Sequence, residues 1–432
     1  MALPATKGTR YAAVIGAGAL AASLLVSLPN TADAAHPCRI DVTTRLDKTQ
    51  KFAGKSVAKY YWAHANGSAV GQYDSKANVI MTTFPTGAYP ALINEKIGER
   101  DGVGAMTKKE APKALGSING DFFITPDIRY VNDIEMARGP MVKNGQIIRA
   151  FHHKQRVVGV DKKMLPFGGM MGVAGFVQAQ VTGASRVKVR AVNWHTVPGK
   201  GVTIYTPDWS QLTRGDGKAA VPRPAGAVEW VIDSHNTITS VRNARRNTGK
   251  LGDPVANGTR VIAFSDNTAS DAAGVPVGTQ VRVRPRQTTD THVQLLTAVG
   301  RGLPVIEGGK PGPLGCRSYA RTASAFSSRP RTFVGWDANG RWRSFIVPGS
   351  KLENVNNVLL RTGGFGLASA ANIAKQLGMT YAYELDGGGS TTFWTRSKRK
   401  WTRKDLYRVA NPSGCTCERW MANGLAFVQP QP

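Results

Sequence analysis

Glu384-Leu385-Asp386-Gly387-Gly388-Gly389-Ser390-Thr391-Thr392 is the stretch on which the reading of this chain turns. Three consecutive glycines let a ligand approach the backbone N–H groups closely, because no Cβ stands in the way. A carboxylate precedes them and hydroxyl side chains follow. A turn of this composition can hold an anion such as phosphate, or a sugar, and set a carboxylate against it. A plain glycine-rich turn between two strands is the alternative, and the preceding segment weighs against it. Leu367, Ala370, Ala371, Ala374 and Leu377 recur at helical spacing and give one apolar face, with Gly378 as the C-terminal stop. Residues 380–385 then alternate, with Tyr381, Tyr383 and Leu385 on one side, as a half-buried strand does. Asp386 is therefore expected at a strand end, where the strand fixes a side chain and the loop exposes it.

Outward from this segment, the rest of the chain reads as short strands. Residues 40–103 form a meander with alternating runs at 57–62 and 78–84. Residues 108–115 are expected as a short helix, and 117–123 as a strand carrying Asn119-Gly120-Asp121. Further strands are expected at 156–160, 175–181, 202–205, 228–232, 259–264, 280–284, 322–326, 332–337, 342–347 and 424–428, with residues 300–320 irregular and rich in Gly and Pro. The fold class is α+β, with β-rich mixed sheets and a few helices.

The chain opens as a secretory signal. Lys7 and Arg10 form the charged start, residues 11–28 are apolar and small, and Ala32-Asp33-Ala34 offers a cleavage site, which makes residues 1–34 the signal peptide. A membrane anchor is the competing reading of so long an apolar run. No lipobox precedes Cys38, and no later segment could span a bilayer after signal removal. A secreted, extracellular and cell-wall-associated protein is expected. Export makes two disulfides plausible among Cys38, Cys316, Cys415 and Cys417. Cys415 and Cys417 are one residue apart and are not expected to pair together, so Cys316 is expected to bridge to one of them and Cys38 to the other. Zinc lacks the paired CxxC spacing and nearby histidines that it needs.

The formal net charge is +28, and close to that without the leader. Such an excess suits an anionic partner. For an exported protein this means a phosphate-bearing cell-wall polymer, an acidic glycan or a membrane surface. Nucleic acid is not expected, since no nucleic-acid motif accompanies the charge. Arg396, Lys398, Arg399, Lys400, Arg403 and Lys404 form a basic run interleaved with Trp394 and Trp401, read either as a solvated loop or as a cationic rim with aromatics to stack on sugars. There is no G-x-x-x-x-G-K-[ST], G-x-S-x-G or H-E-x-x-H, and the seven histidines do not cluster at metal-ligand spacing.

Several motifs fall in a recognisable order: Ile118-Asn119-Gly120-Asp121-Phe122-Phe123; Ala137-Arg138-Gly139-Pro140 with Asn144-Gly145; Arg321-Thr322-Ala323; Leu385-Asp386-Gly387-Gly388-Gly389-Ser390-Thr391-Thr392; and Glu418-Arg419 with Asn423-Gly424-Leu425. Taken together they resemble the phosphodiester glycosidase family over residues 115–428, with residues 36–114 as a β-rich segment packing on that catalytic domain. The chain departs from the family pattern at Glu384, where Asn is usual, at Tyr319-Ala320, where His-Pro is usual, and at Ala323-Ser324-Ala325, where Ala-Ile-Gly is usual.

The resemblance implies hydrolysis of a sugar-1-phosphodiester at the C1–O bond. It implies Asp386 and Asp121 as base or oxocarbenium stabiliser, with Glu384 a further carboxylate. Arg321 and the Gly387, Gly388 and Gly389 amides would hold phosphate. Asn119, Gly120, Thr322, Ser390, Thr391, Glu418 and Arg419 complete the substrate contacts. No cofactor is required, although Ca2+ could bridge phosphate and carboxylates. The expected substrate is a GlcNAc-1-phosphate-type linkage in a bacterial wall or phospho-glycan polymer. The alternatives are a non-catalytic binder of anionic wall polymer and a phosphodiesterase that cuts the P–O bond.

Overall fold

Two strand ends fix the architecture, those of Gly116–Asn119 and Tyr381–Glu384, and each belongs to a different sheet. The computed structural model describes residues 40–67, 75–97, 99–123, 137–194, 199–209, 228–243, 255–300, 302–311, 329–348, 351–355, 358–362, 364–397, 400–404, 409–410 and 416–430, all within one compact unit, Cys38–Pro432. The expected leader, Arg321-Thr322, the strand at 322–326 and Cys38, Cys316 and Cys415 lie outside these residues, as does the Cys417 side chain; the disulfide expectation lies outside them too.

Among the described residues the chain is strand-rich α+β. One sheet runs in the order Ile40–Phe52, Ser56–Gly67, Ser75–Thr83, Trp342–Val347, Arg331–Trp336, Tyr381–Glu384, Leu303–Glu307 and Lys310–Pro311. Helix α3, Leu367–Gln376, covers one face of it. The helix buries Leu367, Ala370, Ala371 and Ala374 as its periodicity requires, and it ends where Gly378 turns left-handed at φ +96°. There the Gly378 N–H donates to Lys375 O and the Met379 N–H to Ala374 O, which satisfies the last carbonyls in a Schellman arrangement.

A second sheet runs Lys400–Arg403, Phe393–Ser397, Gly116–Asn119, Asn423–Val428, Tyr89–Asn94. Helix α1, Val103–Glu110, packs on it. The interior between the two sheets holds Phe84 stacked on Phe427 at 3.8 Å, with Ile118, Val334, Tyr383, Leu385 and Leu425 in the same cluster. Each fully buried ring or branched chain of this kind contributes about 1.5–3 kcal/mol.

The third sheet closes on itself. Val187–Val192, Gln146–Phe151, Met141–Lys143, Leu295–Gly300, Gln155–Asp161 and Pro166–Ala179 pair in turn, and Pro166–Ala179 pairs back to Val187–Val192 through Val177 and Val187. Six strands thus form a ring filled by Val142, Ala150, Val157, Phe167, Met171 and Val173, and ring closure removes free strand edges. Val281–Thr289 flanks the ring. Val202–Tyr205, Arg260–Phe264, Val228–Ile232 and Ile238–Asn243 extend it, and the pair Val187–Val192 with Val202–Tyr205 is parallel.

Four expectations need correction. Residues 300–320 are not uniformly irregular, since Leu303–Glu307 and Lys310–Pro311 are strands, the first held by Tyr381–Glu384. The helix expected at 108–115 lies at Val103–Glu110, because its N-terminus is capped from a distant segment described below. The strand expected at 117–123 stops at Asn119, where Asn423 takes over the hydrogen bonding. Helix α2, Asp266–Ala273, arises in a stretch read without a helix and packs its Ala269 and Ala272 on the third sheet.

Candidate active site

Asp386 lies two residues past the end of Tyr381–Glu384 and is tied to the end of Gly116–Asn119 through its backbone. Its N–H donates to Gly120 O at 2.9 Å, and its carbonyl accepts the Asn119 side-chain amide at 2.6 Å. Asn119 is fully buried, and its Oδ1 accepts the Thr332 hydroxyl at 2.8 Å and the Thr392 N–H at 3.1 Å. One amide therefore joins three segments of chain, those of Asn119, Thr332 and residues 386–392. A Cβ on Gly120 would collide with Asn423 Oδ1, and that oxygen accepts the Asp121 N–H at 2.8 Å. Glycine at 120 is thus imposed by the close approach of Asn423. The Asp121 carboxylate is buried, and its Oδ2 accepts the Gly139 N–H. Asp121 thereby pins the 137–140 segment.

The glycines form a tight turn, Gly388–Ser390. Gly387 is pressed on the Pro330 carbonyl, which would lie 2.8 Å from an added Cβ, and Gly388 sits at φ +59°, where non-glycine residues are strained. The Gly387 N–H donates to Asp386 Oδ1 at 2.9 Å and the Gly388 N–H to Pro330 O at 3.0 Å. Two of the three amides proposed as an anion cradle are therefore engaged, one within the turn and one by Pro330. Thr391 is buried behind it, its N–H on Gly388 O.

The Asp386 carboxyl is half-buried and receives a hydrogen bond from Ser390. Burial pushes its pKa up to about 6. The Ser390 bond, the Arg419 charge and the Gly387 N–H oppose that shift, and the charge of Glu384 adds to it. Arg419 Nη1 donates to Ser390 Oγ at 3.4 Å, so Arg419, Ser390 and Asp386 form a chain of contacts. The Arg419 guanidinium stands 4.9 Å from the centroid of the Phe123 ring, and that of Arg100 stands 5.4 Å from the same ring. Burial and the neighbouring Arg100 lower the pKa of Arg419, and Asp386 raises it. Two guanidiniums are thus gathered on one phenylalanine beside one carboxylate, an arrangement suited to an oxyanion.

Glu384 is buried on the α3 side of its sheet, with Oε1 2.7 Å from Arg331 Nη1, and Arg331 Nε also donates to Phe365 O at 3.2 Å. Burial holds the Glu384 pKa above the usual carboxylate range, while Arg331 and Arg329 pull against it. Its ion pair anchors the strand end behind Asp386. Glu418 does something else again. Its carboxylate accepts the Gly104 N–H in the first turn of α1 at 3.3 Å, the Trp394 indole N–H at 2.9 Å and the Thr392 hydroxyl at 3.2 Å. An anion on the unsatisfied amides of a helix start stabilises it, and this sets where α1 begins.

The fold thus gathers Asn119, Gly120, Asp121, Glu384, Asp386, Gly387, Gly388, Ser390, Thr391, Glu418 and Arg419 at one junction of two sheets, while Arg321 and Thr322 lie outside the described residues. Arg100, Phe123, Arg329 and Arg331 were not singled out from sequence. A lone arginine in so basic a chain carries no signal, and Phe123 was visible only as part of a turn motif. Among the described residues, no group of three or more His, Cys, Asp or Glu side chains is placed to hold a metal ion.

Residues 228–428 match the family model of the phosphodiester glycosidases, a stretch that contains Asp386 and Arg419. The matched stretch does not include Arg100, Asn119 or Phe123. Solved structures alike in fold include a hypothetical protein from Synechocystis, at 15% identity and TM-score 0.59 over 90% of this chain and 72% of that one. They also include a candidate exported protein from Burkholderia pseudomallei, at 15% identity and TM-score 0.62 over 91% and 97%. The zebrafish N-acetylglucosamine-1-phosphodiester alpha-N-acetylglucosaminidase catalytic domain, auto-inhibited by its pro-peptide, is matched at 12% identity and TM-score 0.41 over 90% and 88%. No curated protein matches the chain. No helix among the described residues is long and apolar enough to cross a membrane.

Proposed function

We propose that the protein hydrolyses a sugar-1-phosphodiester, of GlcNAc-1-phosphate type, at the C1–O bond, with Asp386 as the carboxylate at the reacting centre. The observation that carries this reading is Asp386 itself, held at a strand end with its pKa pushed up to about 6 and Arg419 close by through Ser390. A carboxyl of that pKa is mostly ionised at neutral pH and still basic enough to take a proton from water. A phosphomonoester leaves readily, so charge stabilisation matters more than protonation of the leaving group.

The C1–O bond breaks with its electron pair passing to the phosphate oxygen. Water adds through its oxygen to C1 and gives a proton to Asp386, so that free sugar and phosphomonoester leave. Arg419, with Arg100 beside it on the buried Phe123 ring, meets the phosphate charge. Asn119, Asp121 and Glu384 act as positioning residues through the contacts described above.

Secretion and a phosphate-bearing cell-wall or phospho-glycan substrate belong to the same proposal. Support comes from the leader-like start, the net charge of +28 and the likeness in fold to a candidate exported protein.

The test is turnover of the methyl diester of α-GlcNAc-1-phosphate in H2(18)O. Release of GlcNAc carrying the label, lowered by about 10²–10⁴-fold in Asp386→Asn, is expected. Label in the phosphate would instead mean P–O cleavage. Binding without turnover would leave a polymer-binding protein.

A further inference from the structure

We infer that a track of aromatic and cationic side chains, running from the candidate site across α1 and the hairpin Phe393–Ser397/Lys400–Arg403, holds the flanking repeats of a polymer in which sugars alternate with phosphodiesters. This rests on the sugar-phosphodiester reading of Asp386, which would cleave one link of that polymer.

Cross-strand register places Trp394 opposite Arg403 and Arg396 opposite Trp401. Side chains directly opposite share a face of the ribbon. Two tryptophans and two arginines therefore lie on one face, each ring beside a cation both along and across the strands. This face turns toward α1. Gly104 lies against the Trp394 ring, and the Lys108 ammonium stands 5.4 Å from the ring centroid. Arg396 donates to the carbonyls of Ala114 and Lys113 at 2.9 Å each, which brings Lys113 alongside. Lys108 and Lys113 are exposed; Trp394, Arg396, Trp401 and Arg403 are half-buried.

Three carboxylates beside α1 already have partners among the described residues. Glu95 is held by Lys109 and Glu110 by Lys143, both at 2.9 Å, and Glu418 binds Gly104, Thr392 and Trp394. On the opposite side of the hairpin, Lys404 is close enough to Lys48 for the second charge to lower its pKa, after burial. Cations are thus concentrated on both sides of this ribbon.

The track is continuous with the site. Trp394 is bonded to Glu418, and the next residue, Arg419, reaches Ser390 and through it Asp386. Indole faces stack on the apolar faces of sugar rings, and ammonium and guanidinium groups meet phosphates. A nucleic acid would also satisfy cations and tryptophans, but a sugar-directed carboxylate at one end of the track favours the phospho-glycan.

The experiment uses the full chain and a poly(GlcNAc-1-phosphate) probe, with the small methyl diester as comparison. In the triple variant Lys108→Gln/Lys113→Gln/Arg403→Gln, KM for the polymer should rise roughly tenfold, and the salt dependence of polymer binding should flatten by about one unit of slope per cation removed. kcat on the polymer and kcat/KM on the methyl diester should stay within about twofold, since these side chains stand off the reacting centre. Trp401→Ala should weaken polymer binding at an unchanged salt slope. Unchanged polymer binding in both variants, an equal loss on both substrates, or tighter binding of a thymidine oligonucleotide than of the polymer would overturn the inference. Loss of polymer binding in the variants of a protein that turns over neither substrate would uphold the track and reject the hydrolase.

Discussion

The Asn119 side-chain amide donates to the backbone carbonyl of Asp386 at 2.6 Å, across 267 residues of chain. Its oxygen accepts from Thr332 and Thr392 in the same buried position. Asn119→Ala orphans these groups. At roughly 1–3 kcal/mol for a buried polar group left unsatisfied, with partial relaxation, the variant should lose about 3 kcal/mol in urea denaturation. Its activity should fall further than its folded fraction does, because the Asp386 backbone is released.

The carboxyl of Asp386 sets a pH dependence. In the proposed hydrolysis its ionised form is the base, so kcat/KM should rise to an inflection near pH 6 and level above it. The linkage to stability has the opposite sense. A carboxyl whose folded pKa exceeds its unfolded value favours folding below about pH 4, and that advantage is lost as pH rises through about 6. Asp386→Asn should therefore be inactive yet more stable than wild type at pH 7.5, by about 1–2 kcal/mol once partial exposure is allowed for. The two melting temperatures should converge below pH 4.

Charges on either side of Asp386 should move that inflection in opposite directions. Glu384 raises the pKa of Asp386 and Arg419 lowers it. Glu384→Gln should shift the acid limb of the rate profile downward, and Arg419→Gln should shift it upward. The first variant also leaves Arg331 buried without its 2.7 Å carboxylate partner, which costs about 3–5 kcal/mol. Both profiles should be measured well below the melting temperature. Shifts in the same direction would remove Asp386 as the titrating group.

Glu418 caps α1 from the far end of the sequence. Glu418→Ala should cost about 1–2 kcal/mol, as the loss of an N-cap does. Hydrogen exchange should quicken at the amides of residues 103–106 rather than in the six-stranded ring.

Much of the fold was legible where a segment's local pattern agrees with its surroundings. Val202–Tyr205, Val228–Ile232 and Trp342–Val347 fall where their apolar runs put them, and α3 starts at Leu367 and ends one residue before Leu377. Legibility failed where a distant partner decides. Pro304 argues against a strand, yet Leu303–Glu307 forms beside Tyr381–Glu384. Gly102-Val103-Gly104 is a poor helix start, yet Glu418 makes it one. In the site, Asp386 could be read from its place before the glycines, and the turn is present. That its Gly387 and Gly388 amides bond within the turn and to Pro330 could not be read, because Pro330 is remote in sequence. Arg100 and Arg331 gain meaning only from the side chains the fold sets beside them.

The strand Asn423–Val428 lies between Gly116–Asn119 and Tyr89–Asn94, with Leu425 facing Ile118 on one side and Leu92 on the other. This interior strand of the five is therefore made after both of its neighbours, which wait for it unjoined. Pairings so distant in sequence are slow to form. The Gly120–Asp121 turn gains its Asn423 contacts only when this strand docks, so the geometry of the candidate site should mature late, as the slowest phase of refolding.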